Sequence, residues 1–235
     1  MQNGSVVEAE IAHFNALAAE WWNPDGPMRP LHQMNGPRAQ WVGERAVRVA
    51  GAGARLLDVG CGAGLLAEAL AKQGFAVTGV DAGAEVVAVA EAHATAQGLD
   101  IAYRNTTAEA LVAEGMSFPV VTALEIIEHV AEPVEFLRAL RALLAPGGVL
   151  FLSTLNRTPA SYAVAKLGAE YVLKLLPKGT HDWRKFIKPE ELARFARAAG
   201  LRLTDTAGLS YSPFTRRFSV SRDLSVNYLA MAVAV

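Results

Sequence analysis

RLLDVGCGAGLLAEALAKQGFAVTGVD, residues 55–81, decides the fold. Residues 55–60 are a short apolar run closed by a glycine turn, the pattern of a buried strand. Residues 65–74 carry helical apolar spacing and stop at Gly74. Residues 76–81 form a second apolar run of strand length. Two strands joined by a helix read as a parallel βαβ unit with a right-handed crossover. The alternation continues downstream. Residues 84–98 read as a helix stopped by Gly98, 101–105 as a third strand, 108–114 as a short helix and 118–124 as a fourth strand. Residues 133–144 read as a helix closed by the Pro146–Gly148 turn, and 149–156 as a fifth strand. The expected architecture is α/β, with a mostly parallel sheet covered by helices on both faces.

The flanks read differently. Ile11, Phe14, Leu17, Ala18 and Trp21 share a helical face within residues 8–21. NPDGPMRP at 23–30 interrupts that pattern, and a second helix is expected from about Pro37 to Ala50. Residues 1–52 are therefore read as an N-terminal helical cap and 53–156 as a cofactor-binding core. Residues 157–188 read as an insertion, a lid or a membrane contact, and 189–235 as a C-terminal helix and strands. Pro189 opens that last helix and Gly200 closes it. Residues 201–211 and 225–235 are the sixth and seventh strands, joined by the long connection SPFTRRFSVSRD. The whole is expected to be a single domain.

Composition narrows the function classes. The chain has 235 residues, 52% of them hydrophobic, and a formal net charge of −1. That balance speaks for a globular fold and against a nucleic-acid partner. The single cysteine, Cys61, forms no internal disulfide and suits a reducing compartment. MQNGSVVEAEIAHF has no basic start followed by an apolar core, so no signal peptide is read. Lys166, Glu170 and Lys174 interrupt the apolar stretch from Pro159 to Pro177, which makes it a poor membrane span.

Asp58-Val59-Gly60-Cys61-Gly62-Ala63-Gly64 lies at the carboxyl end of the first strand, where open α/β sheets bind ligands. Its glycines, Gly60, Gly62 and Gly64, allow a tight turn and close approach of a ligand to the backbone. Asp81 ends the second strand, placed to accept hydrogen bonds from ribose hydroxyls. A dinucleotide site would carry G-x-G-x-x-G with no acid beside the pyrophosphate. Here the spacing is G-x-G-x-G and Asp58 precedes it. S-adenosylmethionine, which has no phosphate, fits this loop better; a dinucleotide and a purely structural turn are the rivals.

Three stretches, LDVGCGAG, VTGVD and LAPGGVLFLSTLNR, resemble the motif series of class I S-adenosylmethionine-dependent methyltransferases. Four others resemble the O-methyltransferases of ubiquinone biosynthesis: WWNPDGPMRPLHQMN, EIIEHV, FLSTLNRT and GAEYVLKLLPKGTHDWRKFIKPEEL. The likeness spans roughly residues 10–230. It implies a Rossmann-like, seven-stranded, mostly parallel sheet whose last strand inserts antiparallel. It also implies cofactor contacts at Arg38, Gly60, Asp81 and Leu124, the last a mild departure because relatives often carry Met there. The alternative for Arg38 is a solvated helix charge.

Leu124-Glu125-Ile126-Ile127-Glu128-His129 follows the fourth strand. Were it helical, Glu125, Glu128 and His129 would share one face at i, i+3 and i+4. Two carboxylates and an imidazole suit a hard divalent ion, and the resemblance supports Mg²⁺ there. His129 as a general base without metal, assisted by Glu128, is the alternative, and a purely structural turn the third. His181 and Asp182 either line the substrate site or order their loop. Residues 160–176, apolar with a basic flank from Lys178 to Lys188, suit an amphipathic helix on anionic lipid or a packed lid. Trp21 and Trp22 either cover the site or fill the core.

The resulting expectation is an S-adenosylmethionine-dependent O-methyltransferase acting on phenolic hydroxyls of polyprenylated catechol-like molecules. The alternatives are a methyltransferase for another small molecule and a cofactor-binding module without turnover. Expected partners are the phenolic substrate, anionic membrane lipids and other ubiquinone-biosynthesis proteins. The expected location is cytoplasmic, peripheral at the inner face of the membrane.

Overall fold

A computed structural model describes residues 7–163, 183–212, 214–215 and 217–235. The N-terminal part holds α1 (Glu8–Ala16), a 3-10 turn (Ala18–Glu20) and α2 (Arg29–Ala50). The alternating part follows: β1 (Arg55–Val59), α3 (Leu65–Ala71), β2 (Ala76–Asp81), α4 (Ala84–Ala96), β3 (Ala102–Asn105), α5 (Ala108–Ala113) and β4 (Phe118–Leu124). After a 3-10 turn (Ile127–His129) come α6 (Pro133–Ala142) and β5 (Leu144–Leu155). The last described elements are a 3-10 turn (Trp183–Lys185), α7 (Pro189–Ala198), β6 (Leu201–Ser212), β7 (Arg217–Ser221) and β8 (Asn227–Ala234).

These strands form one sheet in the order β3-β2-β1-β4-β5-β8-β6-β7. Strands β1 to β5 pair in parallel, and β8 runs antiparallel to both β5 and β6. The last strand therefore inserts antiparallel, as the resemblance implies. The sheet has eight strands where seven are expected, because SPFTRRFSVSRD holds β7, paired antiparallel with β6. That strand lies at the edge of the sheet and is largely exposed, so its apolar signal is weak.

Strand residues alternate between faces, and the core follows that alternation. Leu56, Val120, Phe151 and Leu229 pack with Val42, Ala46, Leu66, Leu70 and Ala90 from α2, α3 and α4. Their chain neighbours Leu57, Val121, Leu150 and Ala230 pack on the other face with Leu111, Leu137, Leu140 and Leu192 from α5, α6 and α7. A third cluster joins Leu17, Ala18, Trp21 and Met28 to Ala63, Leu65 and Val86. It seats the N-terminal cap on the glycine loop.

The second helix begins at Arg29 instead of near Pro37. Pro30 falls in its first turn, where a missing N–H costs nothing. Pro37 lies inside the helix and removes a bond. The burial of Trp41, Val42 and Ala46 along the same helix offsets that loss.

Most of the apolar 160–176 segment lies outside the described residues, as do His181 and Asp182. Tyr162, near its start, is exposed. Among the described residues, no helix is long and apolar enough to cross a membrane.

Candidate active site

The carboxyl ends of β1, β2, β4 and β5 meet on one side of the sheet. The glycine loop there has Gly60, Gly62 and Gly64 at φ +69°, +52° and +91°, the left-handed region. Gly60 and Gly62 both leave no room for a side chain. A Cβ at Gly62 would stand 2.3 Å from a Trp21 ring carbon. At Gly60 it would stand 2.2 Å from Ile126 Cδ1. Glycine thus lets Trp21 from the cap and Ile126 from the β4 turn close on the loop.

Asp81 binds two loops together. Its Oδ2 accepts the Gly62 N–H at 2.9 Å and its Oδ1 the Gly83 N–H at 2.8 Å. Burial raises its carboxyl above the usual range, partly offset by these backbone donors. Each carboxylate oxygen retains a further lone pair, so the geometry leaves capacity for hydroxyl donors.

Asp58, inside the sheet, is buried and accepts from Thr122 Oγ1 at 2.6 Å. Its other oxygen has no hydrogen-bond partner among the described residues. Burial pushes this carboxyl from 3.8 up to about 7, against the lowering pull of the Thr122 bond and Arg38. Arg38 is buried too, rather than a solvated charge. Burial lowers its pKa, while Glu125 and Asp58 favour its charge. The structure therefore brings Arg38, Asp58 and Glu125 into one electrostatic group. Leu124 is buried at the end of β4, in register with Ser153 of β5.

The segment after β4 does not meet the helical condition on which a shared face depends. Glu125 takes φ +56°, and Ile127–His129 is a single 3-10 turn. Glu125 Oε1 accepts from Ser153 Oγ at 2.6 Å and Asn227 Nδ2 at 2.9 Å, while its N–H donates to the Ser153 carbonyl at 3.1 Å. Those tertiary bonds hold a backbone conformation that a non-glycine residue adopts only under constraint. Glu128 is buried, and its Oε2 has no partner among the described residues. Burial first, then Glu125 nearby, push its carboxyl up to about 8. His129 Nδ1 lies 3.0 Å from Glu10 Oε2. Burial lowers the imidazole pKa against the raising effect of Glu10, which favours the neutral ring.

Consequently Glu125, Glu128 and His129 do not share a helical face. Among the described residues, no group of three His, Cys, Asp or Glu side chains stands ready to hold a metal ion. The carboxylates fit a hard cation in chemistry, but Glu125 is committed to Ser153 and Asn227, and His129 to Glu10.

The cap closes the site from above. Trp21 is buried against the glycine loop, and Trp22 Nε1 donates to the Ala63 carbonyl at 2.9 Å. Trp22 also stacks on His93 at 3.5 Å between centroids. Both tryptophans thus pack and cover at once. Glu10, Ser153, Asn227 and Thr122 are site residues that sequence reasoning misses. Ser153 sits in the FLSTLNRT stretch, which carries a signal. Glu10 meets His129 only through the tertiary fold.

Comparison with known proteins fixes the family. The family model "Methyltransferase domain" matches residues 31–206. Ubiquinone biosynthesis O-methyltransferase of Cereibacter sphaeroides is 49% identical over 244 residues, covering 99% of each chain. The chain belongs to the ubiquinone biosynthesis O-methyltransferase family. The relative so named from Pseudomonas entomophila is 48% identical, covering 96% of both chains. Among solved structures, magnesium protoporphyrin IX methyltransferase from Synechocystis PCC 6803 with bound SAH aligns with TM-score 0.68 and 20% identity, over 97% of this chain and 99% of that one. The [4+2]-cyclase SpnF aligns with TM-score 0.59 and 19% identity, over 82% and 79%. These likenesses show the Rossmann-like methyltransferase fold. They also show why the chemistry has to be argued from the site.

Proposed function

We propose that the protein transfers the methyl group of S-adenosylmethionine to a phenolic hydroxyl of a polyprenylated, catechol-like ring in ubiquinone biosynthesis. The observation that carries this reading is the 49% identity over 99% of both chains to a protein of that name. The site supports it. Asp81 would accept the ribose hydroxyls. The glycine loop, with Asp58 and Arg38 behind it, would cradle the rest of the cofactor, and Leu124 would supply an apolar wall. S-adenosylmethionine, when bound, supplies an electrophilic methyl on its sulfonium.

His129 fits the role of proton acceptor. Its neutral ring, with Nδ1 turned to Glu10, leaves Nε2 to take the phenol proton. The O–C bond forms as the S–C bond breaks, and the imidazolium then returns its proton to solvent. Glu128, buried beside Glu125, shapes the same turn.

Glu128 alone supports a second reading. Its unpartnered oxygen next to another carboxylate suits a divalent cation such as Mg²⁺, held by Glu125 and Glu128. When bound, such an ion supplies Lewis-acid stabilisation of a phenolate. Contact with anionic lipid at the inner membrane face, and with other proteins of the same biosynthesis, belongs to this proposal as well. The exposed Tyr162 and the basic residues Arg184, Lys185 and Lys188 support the lipid contact.

The deciding experiment is mass spectrometry of catechol-like candidates incubated with methyl-labelled S-adenosylmethionine, with and without a chelator. A labelled methyl ether confirms the activity. Cofactor binding without any labelled product overturns it. Full activity after chelation selects His129 over the cation.

A further inference from the structure

The β6–β7 hairpin reaches past the sheet on the side where its ligand edge lies. Strand β6 runs antiparallel to β8, and β8 antiparallel to β5, so β6 points the same way as the parallel strands. Its carboxyl end therefore lies on the edge that carries the glycine loop and Asp81. Thr154 of β5 and Gly208 of β6 both pair with Tyr228, which puts them level. From Gly208, β6 continues to Ser212 with β7 as its ladder partner. At about 3.3 Å per residue, this makes a two-stranded ribbon of about 13 Å beyond the level of Tyr228.

An isolated ribbon of two strands is marginally stable in water. This one is fixed at its root, where Leu209 is buried and Phe218 packs on the core. Further out, Tyr211 faces Phe218 across the ladder with ring centroids 5.0 Å apart. Ser212 Oγ accepts the Thr215 N–H at 3.3 Å and orders the turn at the tip. Phe214 at that tip is nonetheless 97% exposed, and Tyr211 44%. Residues 209–222 hold three arginines and no acidic residue. Of these, Arg217 and Arg222 are exposed. Aromatic rings at a tip with cations behind them suit a bilayer interface, where rings sit at headgroup level and arginine stems lie along apolar surface. The turn Trp183–Lys185 stands on the same edge, because Ile187 just after it donates its N–H to the Leu155 carbonyl at 3.0 Å.

We propose that the β6–β7 ribbon is a lipid anchor: Phe214 and Tyr211 enter the headgroup region of an anionic bilayer, Arg217 and Arg222 meet its phosphates, and the ligand edge of the sheet is held facing the membrane. The occupant is a lipid surface, because the charge of the ribbon has one sign and its most exposed apolar side chain stands on a projecting tip. The inference rests on the reading that the methyl acceptor is polyprenylated and so resides in the bilayer. It gives that reading a geometry, in which the ring of the acceptor meets the ligand edge while its tail stays in lipid.

The experiment uses the full chain and vesicles of phosphatidylcholine with or without phosphatidylglycerol. Co-sedimentation measures binding, and a fluorescent label on Phe214→Cys reports the surroundings of the tip. Cys61, the single native cysteine, is buried, so the label goes to position 214. On anionic vesicles the labelled tip brightens and shifts to the blue. Phe214→Asp binds them more weakly by about 10-fold or more, as loss of a buried phenylalanine requires. Arg217→Gln and Arg222→Gln each lose about 5-fold at low salt and little at high salt. These positions are exposed, so the variants keep their stability. Methylation of a short, water-soluble acceptor stays within about 2-fold of wild type. Vesicle binding by the wild type with an unshifted label and undiminished binding by Phe214→Asp overturns the proposal and leaves lipid contact to the basic residues around Trp183–Lys185. No vesicle binding by the wild type overturns the proposal and the lipid reading together. A label that stays in water on vesicles but is buried by a soluble protein assigns the tip to that protein and overturns the proposal as well.

Discussion

Asp58→Asn isolates the cost of a buried charge. The wild-type carboxyl rises from an ordinary 3.8 to about 7, chiefly because burial disfavours its charged form. A raised folded pKa means that the folded state holds its proton where the unfolded chain releases it. The associated stability is complete below about pH 3.8 and is lost as pH climbs to about 7. That gap corresponds to about 4 kcal/mol in all. Between pH 5 and 8 the part lost is about 2–3 kcal/mol. Asparagine has no proton to release, so the variant lacks this slope. Its amide oxygen still accepts from Thr122, as Asp58 does at 2.6 Å. Arg38 loses one of its two carboxylate neighbours but keeps Glu125. The pull of Arg38 on the Asp58 charge is already contained in the raised pKa, so it belongs to the slope that the variant lacks. Urea unfolding of both proteins at pH 5 and pH 8 measures that slope. Asp58→Asn should gain about 2–3 kcal/mol relative to wild type across the interval. A stability difference identical at the two pH values would refute the reasoning, because the charge would then carry no burial penalty.

Asp81→Ala should weaken S-adenosylmethionine by about 100-fold or more, since hydrogen bonds to charged groups contribute about 1.5–3 kcal/mol each. Calorimetry on the folded variant checks this, and unchanged affinity would remove Asp81 from the ribose site. Gly62→Ala should lower stability by about 2–4 kcal/mol, from the left-handed φ and the displaced Trp21 ring. Thermal unfolding reads it, with an unshifted melting temperature counting against the close contact.

The parallel half of the fold is legible because its strands are short, continuous apolar runs separated by helices that end in glycine. The Asp58–Gly64 loop and Asp81 are legible for the same reason: their roles follow from where a βαβ unit ends. β7 is not, because Arg217–Ser221 pairs on one side only and exposes much of its length. The turn at Glu125 is not legible either. EIIEH has helical spacing, and what overrides it is a pair of bonds from Ser153 on β5 and Asn227 on β8, two neighbouring strands on the same side of β4. Local propensity carries no information about partners 28 and 102 residues away. Arg38 is legible only through the resemblance, because nothing in its own helix says that Asp58 and Glu125 will lie across from it.

The position of β8 has a consequence for how the molecule is made. It is the last described strand to leave the ribosome, yet it separates β5 from β6 in the sheet. Until it arrives, the five parallel strands form one incomplete plate and the β6–β7 hairpin another, each with an open hydrogen-bonding edge. The two can unite only after synthesis has passed residue 227. Completing the sheet therefore depends on pairings distant in sequence and slow to find. Clipping the chain within residues 227–234 would do more than shorten it. It would leave two sheets with adhesive margins, a species disposed to aggregate rather than to fray.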